Sequence, residues 1–341
     1  RNLLKSWTII LSIATFTLSM IGTFLVRSGI LTSVHTFALD PSRGIYILLF
    51  FTLLGGYSLY VFFLNSKKFS NKVFLSFFSK GGAILVNNLV LVIVCATVFL
   101  GTIYPLIVEA ISKNKISVGE PYFNSTIIPI ILPVILLMGI GPILSWGKTD
   151  IRKNLKRTVI IFLLTIIFTL IFFINYKYIN LIGLFGVILS FWIILNNLVP
   201  LIGKILRKIN FKLNNNIFPT INIFTLLAHL GFGLLMLGMT VSSVWKSEKI
   251  IQMKTNETIT IINYDLSFAE INEIVGPNYI AIEALFDIYD KNNNFIANLR
   301  PQKRYYPVTK IFTNEPSIHT NLKRDLYIVL GEGNKNDGWV I

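Results

Sequence analysis

Charged residues are scarce in this 341-residue sequence. Asp, Glu, Lys and Arg together make up 14% of it, whereas 53% is hydrophobic and the mean hydropathy is +0.67. A soluble domain typically contains about 25% charged residues. Much of the surface of this protein must therefore face something other than water, and lipid is the simplest candidate.

Cysteine and phosphate-binding motifs are also missing. The single cysteine, Cys95, lies within an apolar run, which excludes an intrachain disulfide framework and a CxxC metal or redox pair. The sequence contains neither a GxGxxG loop nor a GxxxxGK(S/T) loop. Acidic residues are nearly absent from the apolar runs, which argues against a proton pump or cation transporter, because such proteins place acidic side chains along their ion pathway.

Long apolar runs are what the sequence has in abundance. Seven of them reach or approach the roughly 20 residues that a helix needs to cross a bilayer core. They are residues 7–26, 44–64, 83–104, 127–146, 158–174, 181–202 and 218–244. The fifth is short, and the sixth contains Asn196, Asn197 and Pro200. These two runs could form a tight hairpin around residues 175–178. The sequence predicts an α-helical polytopic membrane protein with about seven transmembrane helices, in a domain covering residues 1–245.

Basic residues are unevenly distributed between the predicted loops. Fifteen lysines and arginines fall on the side of residue 1, and five fall in the short loops on the other side. The positive-inside rule places the first side in the cytoplasm or mitochondrial matrix. An odd number of spans then places everything after residue 244 on the opposite, periplasmic or intermembrane-space face. The net charge of +15 is explained by this topology and by anionic lipid headgroups, without nucleic acid.

The composition changes after residue 245. Residues 246–341 carry 11 basic and 12 acidic side chains. Residues 280–289 largely alternate between two faces, a period typical of a strand. A turn at 292–294 leads to a return strand at 295–300, and further strands are predicted at 258–262, 308–312 and 326–330. Residues 246–341 are therefore predicted to form a small soluble β-rich domain.

His229 is the first of two histidines with a chemically informative position. It lies near the middle of the last apolar run, where an ionisable group is costly and is usually explained by a partner or a bound group. Its neighbours Ala228, Gly231 and Gly233 are small enough for a large flat ligand to approach, and imidazole is a good axial ligand of haem iron. The alternative is a histidine that is hydrogen-bonded between helices and binds no metal.

His35 is the second such histidine, in the loop between the first two runs on the side with few basic residues. Arg27 and Arg43 flank this loop, and arginine binds carboxylates such as haem propionates through two hydrogen bonds. The alternative is an ordinary polar loop residue. His319, in the C-terminal domain, has no such surroundings and is predicted to be solvated.

Five parts of the sequence follow the order of motifs in a known family. They are GTFLVRSGILTSVH at 22–35, several segments between 87 and 124, GIGP at 139–142, AHLG at 228–231 and RDLYIVLGE at 324–332. Together they resemble the CcmF-type cytochrome c haem lyases. Several motifs in family order are far less expected by chance than one short pattern.

This resemblance implies a reaction and a set of haem ligands. Enzymes of the family join the vinyl groups of reduced haem, the substrate, to the two thiols of a CxxCH motif in apocytochrome c. By resemblance, His35 helps to hold the incoming haem and His229 is an axial ligand of a bound haem b, the proposed reductant of the substrate iron. Each would be paired with a histidine from outside this chain. The catalytic group that activates the thiols is not identified.

One family feature is missing. The tryptophan-rich WWD segment that receives haem is absent, and none of the five tryptophans forms such a cluster. The resemblance therefore implies the C-terminal part of a split holocytochrome c synthase that needs a separate N-terminal, WWD-containing chain. Split versions and the Ile-, Asn- and Lys-rich composition favour the mitochondrial inner membrane over a bacterial one. The alternative function is a non-catalytic structural subunit, descended from a haem lyase, in a larger respiratory assembly of the inner membrane.

Overall fold

The structure is a computed structural model that describes most of the chain. The described residues are 5–28, 41–69, 76, 79–114, 116–147, 151–174, 180–209, 219, 221–321 and 324–341. The chain divides into two compact units, Arg1–Val244 and Trp245–Ile341. The described elements of the first unit are helical and those of the second are strands.

Seven helices within the described residues are long and apolar enough to cross a membrane. In chain order they are α1 (Lys5–Arg27), α2 (Pro41–Asn65), α3 (Lys80–Ser112), α4 (Glu120–Ile140), α5 (Ile151–Phe173), α6 (Leu181–Lys208) and α7 (Ile223–Val244). The predicted polytopic helical fold is thus confirmed. The sequence prediction missed polar end turns, because it followed hydropathy and a helix continues beyond its apolar run.

The fourth helix is displaced most from its prediction. It begins at Glu120 rather than near residue 127, with Gly119 in an extended conformation before it and Pro121 in its first turn. Proline is favoured there because the first-turn N–H groups have no partner within the helix. The helix ends at Ile140 and is followed by a 3₁₀ turn, Gly141–Ile143.

The sixth helix is the centre of the helical unit. In its most apolar window 56% of the residues are buried, against 22% or less in the other six spans. Close contacts around it are made by small residues: a Cβ added to Gly186 would lie 2.5 Å from Thr240 of α7, and one added to Gly139 of α4 would lie 2.3 Å from Trp192. Small residues at such seams let helices approach closely, which is a main source of attraction between helices in lipid.

A buried arginine links α5 to α6. Arg157, which the sequence placed in a loop, lies inside α5 with 1% of its surface exposed, and its Nη2 donates a 2.8 Å hydrogen bond to the carbonyl of Asn196. The helical partner of that carbonyl would be the N–H of residue 200, but Pro200 has none. Prolines are tolerated in membrane helices when a neighbouring helix satisfies the freed carbonyl. Arg157 performs this role for Pro200.

The first two helices also approach each other at glycines. A Cβ added to Gly55 of α2 would lie 3.2 Å from Thr17 of α1, and one added to Gly44 would lie 3.1 Å from the Cα of Ser28. Because Ser28 directly follows α1 and Gly44 lies in the first turn of α2, the second contact brings these two helix ends together. Arg27 and Arg43 therefore stand at the same end of the α1–α2 pair.

The second unit is an antiparallel β domain, as predicted. Its strands are β1 (Gln252–Met253), β2 (Thr258–Ile261), β3 (Tyr264–Val275), β4 (Ile280–Asp290), β5 (Phe295–Leu299), β6 (Gln302–Tyr306), β7 (Ile311–Glu315), β8 (Ser317–Thr320), β9 (Asp325–Ile328), β10 (Gly333–Asn334) and β11 (Gly338–Val340). The main sheet has the order β2-β3-β4-β6-β7, and β5 also pairs with β4. Smaller sheets are β1-β11-β10 and β8-β9.

The inward face of β4 supplies the centre of this domain. Ala284, Phe286 and Ile288 are completely buried, as the alternation predicts, but at the start of the strand Ala281 is buried and Ile280 is exposed. Phe286 stacks on Phe268 of β3 with ring centroids 4.7 Å apart. The long β3 was missed by sequence reasoning, because polar residues such as Glu270, Asn272 and Glu273 interrupt its apolar pattern.

Two turns of the domain show how local chemistry sets strand ends. After β4, Asp290 accepts hydrogen bonds from the side chain and backbone of Asn294 and from the backbone of Asn292, and these bonds lower the pKa of Asp290. Asn293 takes the left-handed conformation, so the predicted turn is confirmed. The strand predicted at 308–312 begins only at Ile311, because the preceding residues form a turn in which Lys310 has a φ of 54°.

Candidate functional site

His229 lies on α7, two turns from its start, and is half-buried. Its Nδ1 is 2.8 Å from the carbonyl oxygen of Thr225, one turn earlier in the same helix. A carbonyl can only accept, so Nδ1 is the nitrogen that carries the proton and donates. In the neutral ring Nε2 then keeps a free lone pair, and the imidazole is oriented in the manner usual for metal-binding histidines.

His229 lines a cavity of about 520 Å³ formed by α3, α4 and α7. Its walls are mainly apolar: Ala83, Ile84, Val86 and Leu91 come from α3, Ile131, Val134, Ile135, Leu137 and Met138 from α4, and Phe232 from α7. Gly141 and Pro142 follow α4, and the polar lining residues are Lys80, Asn87, Thr225 and His229. An apolar cavity with a few convergent polar groups is the usual form of a cofactor site.

The cavity lies towards one end of the three helices. Lys80 is the first residue of α3, Gly141 directly follows α4, and Thr225 is in the first turn of α7. The start of α3 is joined to the segment after α4 by a 2.7 Å hydrogen bond from the N–H of Lys80 to the carbonyl of Ser145. Since α1 begins at the basic end and each span reverses the chain direction, this is the membrane side where most basic residues lie.

The lining of this cavity fits a flat metal complex whose metal is bound by one histidine of this chain, His229. Among the residues that the structure describes, no group of three or more His, Cys, Asp or Glu side chains comes together to hold a bare metal ion. A haem, which carries its own four equatorial nitrogens, needs only axial ligands from protein. The bond from His229 to Thr225 lies within α7 and not between two helices.

The second predicted haem site is only partly within the described residues. His35 lies in residues 29–40, outside the described part of the chain. Arg27 is the last residue of α1, and Arg43 is exposed in the first turn of α2. The contact between Gly44 and Ser28 brings these arginines to one end of the helix pair. Because successive helices run in opposite directions, this end of the α1–α2 pair lies on the side opposite to the end of α3, α4 and α7 that holds the His229 cavity.

The structure adds information on two further positions. His319, predicted to be solvated, is half-exposed on β8 and has its Nδ1 3.4 Å from Nη1 of Arg324. Lys80 was counted only as a loop charge, whereas it lines the His229 cavity. Its position immediately before an apolar run was the available signal, but that position alone does not distinguish a cavity from a membrane surface.

Comparisons with known proteins agree with the resemblance stated from the motifs. Residues 244–341 match the family model of the CcmF C-terminal β-sandwich. The cytochrome c-type biogenesis protein CycK of Rhizobium meliloti is 34% identical over 351 residues, which cover 100% of this chain and 51% of CycK. The cytochrome c-type biogenesis protein CcmF of Pseudomonas aeruginosa is 33% identical over 342 residues, which cover 100% of this chain and 52% of that protein.

A solved structure, titled cytochrome c haem lyase CcmF, has the same fold as this chain. Its TM-score is 0.68 at 20% sequence identity, and the match covers 99% of this chain and 50% of the solved one. The chain thus spans about half the length of the relatives that it matches. Residues 244–341 thus match the CcmF C-terminal β-sandwich, and the whole chain is similar in sequence to CcmF-type cytochrome c-type biogenesis proteins.

Proposed function

We propose that this chain is the C-terminal, haem-holding part of a cytochrome c haem lyase. In this role it takes part in cytochrome c maturation, the covalent attachment of reduced haem to the CxxCH thiols of apocytochrome c. The observation that carries the proposal is the His229 site, where a carbonyl holds Nδ1 and leaves Nε2 able to bind iron beside an apolar cavity. The similarity of the whole chain to CycK and CcmF supports the same role.

In this proposal the His229 cavity holds a resident haem b. His229 binds the iron through Nε2, the carbonyl of Thr225 keeps the ring oriented, and the apolar side chains of α3 and α4 exclude water. Haem supplies one-electron redox chemistry when bound, and here it would keep the substrate iron reduced. A second histidine, from outside this chain, would complete the binding of the iron.

The substrate haem is proposed to bind at the opposite side of the membrane. Arg27 and Arg43, at the joined ends of α1 and α2, would bind its propionates, and His35 would hold its iron with a second imported histidine. The β domain of residues 246–341 is proposed to lie on this same periplasmic or intermembrane-space side, where apocytochrome c arrives. The support for this orientation is the basic-residue asymmetry and the odd number of spans.

The WWD segment of the family is proposed to be supplied by a separate N-terminal chain, and the complex is proposed to reside in the mitochondrial inner membrane. The support is the absence of a tryptophan cluster and the residue composition. The named relatives are bacterial, so a bacterial inner membrane is the competing location.

A visible absorption spectrum of the gently solubilised protein, with every co-purifying chain identified by mass spectrometry, tests the proposal. The expected result is a reduced low-spin b-type spectrum together with a polypeptide that carries a WWD segment. Replacing His229 by Ala should abolish that spectrum, whereas replacing His319 by Ala, in the β domain and without an assigned role in haem binding, should leave it unchanged. An unchanged spectrum in the His229 variant would overturn the haem assignment.

The alternative is a structural subunit of a larger respiratory assembly that no longer attaches haem. The observation in its favour is the absence of the haem-receiving WWD segment from these 341 residues. An intact preparation that contains no haem and no WWD segment on any of its polypeptides, but does contain respiratory subunits, would favour this alternative.

A further inference from the structure

Among the described residues that line the His229 cavity, Lys80 is the only one with a permanently charged side chain. We propose that Lys80 is the anchor for the carboxylate groups of the haem that His229 binds, so that the cavity selects a flat metal complex with an apolar body and an acidic edge. This inference rests on the proposed function. It assigns Lys80 as a positioning residue, distinct from the iron ligand.

The surroundings of Lys80 leave its ammonium group available to an anion. The side chain is half-buried, and Nζ lies 5.6 Å from the ring centroid of Trp146, a contact that steers a cation without neutralising it. Among the described residues it has no acidic partner. An anion stabilises a partly buried cation, and a ligand with an acidic edge in this cavity would supply that anion.

The start of α3 favours an anion at the same place. Gly81 and Gly82 follow Lys80 and are both buried, so this end of the helix is packed within the protein. Ser79 caps the helix by accepting a 3.1 Å hydrogen bond from the N–H of Gly82. The positive end of the α3 dipole adds to the charge of Lys80 and stabilises a carboxylate there.

The length of the cavity suits a ligand with two unlike ends. The lining residues of α3 run from Lys80 to Leu91, a rise of about 16 Å at 1.5 Å per residue. Lys80 is at the helix end, where headgroups and water are near, and the walls beyond it are largely apolar. Carboxylates at the Lys80 end keep access to solvent, which lowers the cost of removing their hydration.

The experiment compares haem with haem dimethyl ester, which has the same iron and ring but no carboxylates. Each is offered to the solubilised, haem-depleted complex, and the ratio of their dissociation constants is measured by absorbance. The variants are Lys80→Met and Lys80→Arg. Lys67→Met is the matched control, since it removes the same charge from an exposed residue on the same side of the membrane.

We expect the wild-type complex to prefer haem over its ester by about tenfold, the effect of one charged hydrogen bond. Lys80→Met should abolish this preference without moving the low-spin band, Lys80→Arg should retain it, and Lys67→Met should leave it unchanged. The ratio does not depend on the fraction of folded protein. It therefore separates a loss of the anchor from a general loss of structure.

The two proposals fail in different ways. If haem binding depends on His229 but Lys80→Met keeps the wild-type preference, Lys80 does not bind the carboxylates. The assignment of His229 as a haem ligand is then unaffected. A ratio near one in the wild-type complex also overturns the anchor. If neither haem nor its ester gives a His229-dependent spectrum, the proposed function itself is wrong, and so is the role proposed for Lys80.

Discussion

The β domain and the helical unit are each stabilised internally, but by different kinds of side chain. In the β domain large apolar residues meet, as where Phe268 and Phe286, both fully buried, stack 4.7 Å apart. In the helical unit the close contacts are made by glycines, as where Gly139 lies against Trp192, and by buried polar bonds, as where Arg157 binds the carbonyl of Asn196.

The difference follows from the solvent of each unit. Burying a large apolar side chain away from water stabilises the β domain by about 25 cal/mol per Å². In lipid this gain is absent, because the tails are as apolar as leucine, and attraction between helices comes from close packing and hydrogen bonds. The same type of substitution should therefore have different effects in the two units.

The largest expected effect is the loss of a ring from the β core. Phe286→Ala leaves a cavity beside Phe268 and should lower the free energy of unfolding of the β domain by about 3–5 kcal/mol. Amide hydrogen exchange of peptides from β4, measured by mass spectrometry on the whole solubilised chain, reports this loss. Phe295→Ala removes the same ring from a side chain that is 55% exposed, and it should change the protection little. Equal losses in the two variants would contradict the assigned core.

The second prediction tests the close packing of α4 against α6 by adding a single methyl group at Gly139. A Cβ at Gly139 would lie 2.3 Å from Nε1 of Trp192, whose indole is held by a 3.0 Å hydrogen bond to the carbonyl of Leu136. Gly139→Ala should destabilise the helical unit by about 2 kcal/mol through overpacking. The thermal unfolding of the solubilised protein measures it.

The matched control for this variant is Gly238→Ala. Gly238 is also inside a membrane helix, α7, but a Cβ added there meets no atom within 4 Å. Both variants gain the same helix propensity, so their difference isolates the contact with Trp192. If Gly139→Ala unfolds at or above the temperature of Gly238→Ala, α4 and α6 do not pack as described.

The smallest effect is a coupling between Arg157 and Pro200. Arg157→Met removes the donor of the Asn196 carbonyl but also removes the cost of a buried charge, so the single variant has no predictable sign. Pro200→Ala supplies an N–H to that carbonyl and should make the loss of Arg157 milder. We expect a coupling free energy of about 1 kcal/mol from a double-mutant cycle on thermal stability. Strictly additive effects would show that Arg157 does not serve the carbonyl freed by Pro200.

Much of the architecture was predictable, because hydropathy is a local property. Long apolar runs identified all seven helices, and the alternation at 280–289 identified the central strand. Polar ends such as Glu120 were missed, since a helix continues past its apolar run when a proline or glycine sets the boundary. The strand β3 was missed because pairing with β4 outweighed its irregular pattern.

The candidate site was only half predictable. His229 was recognisable as a lone ionisable group in an apolar run, and its bond to Thr225 lies within one helical turn. The role of Lys80 could not be derived, because a lysine before an apolar run is the same sequence signal whether it faces headgroups or a cavity. Arg157 was misplaced for the same reason, since hydropathy assigns a charged residue to the nearest loop.

The sequence by itself therefore determined the seven apolar runs that form the described long helices, the uneven distribution of basic residues, the β character of the last hundred residues and the resemblance to CcmF-type proteins. Only the tertiary structure decided that α3, α4 and α7 enclose a cavity with His229 and Lys80 on its lining, and that Arg157 satisfies the carbonyl freed by Pro200. The physical reason is that spanning a membrane depends on each segment alone. Lateral packing depends on glycine seams and polar bonds between residues far apart in the chain.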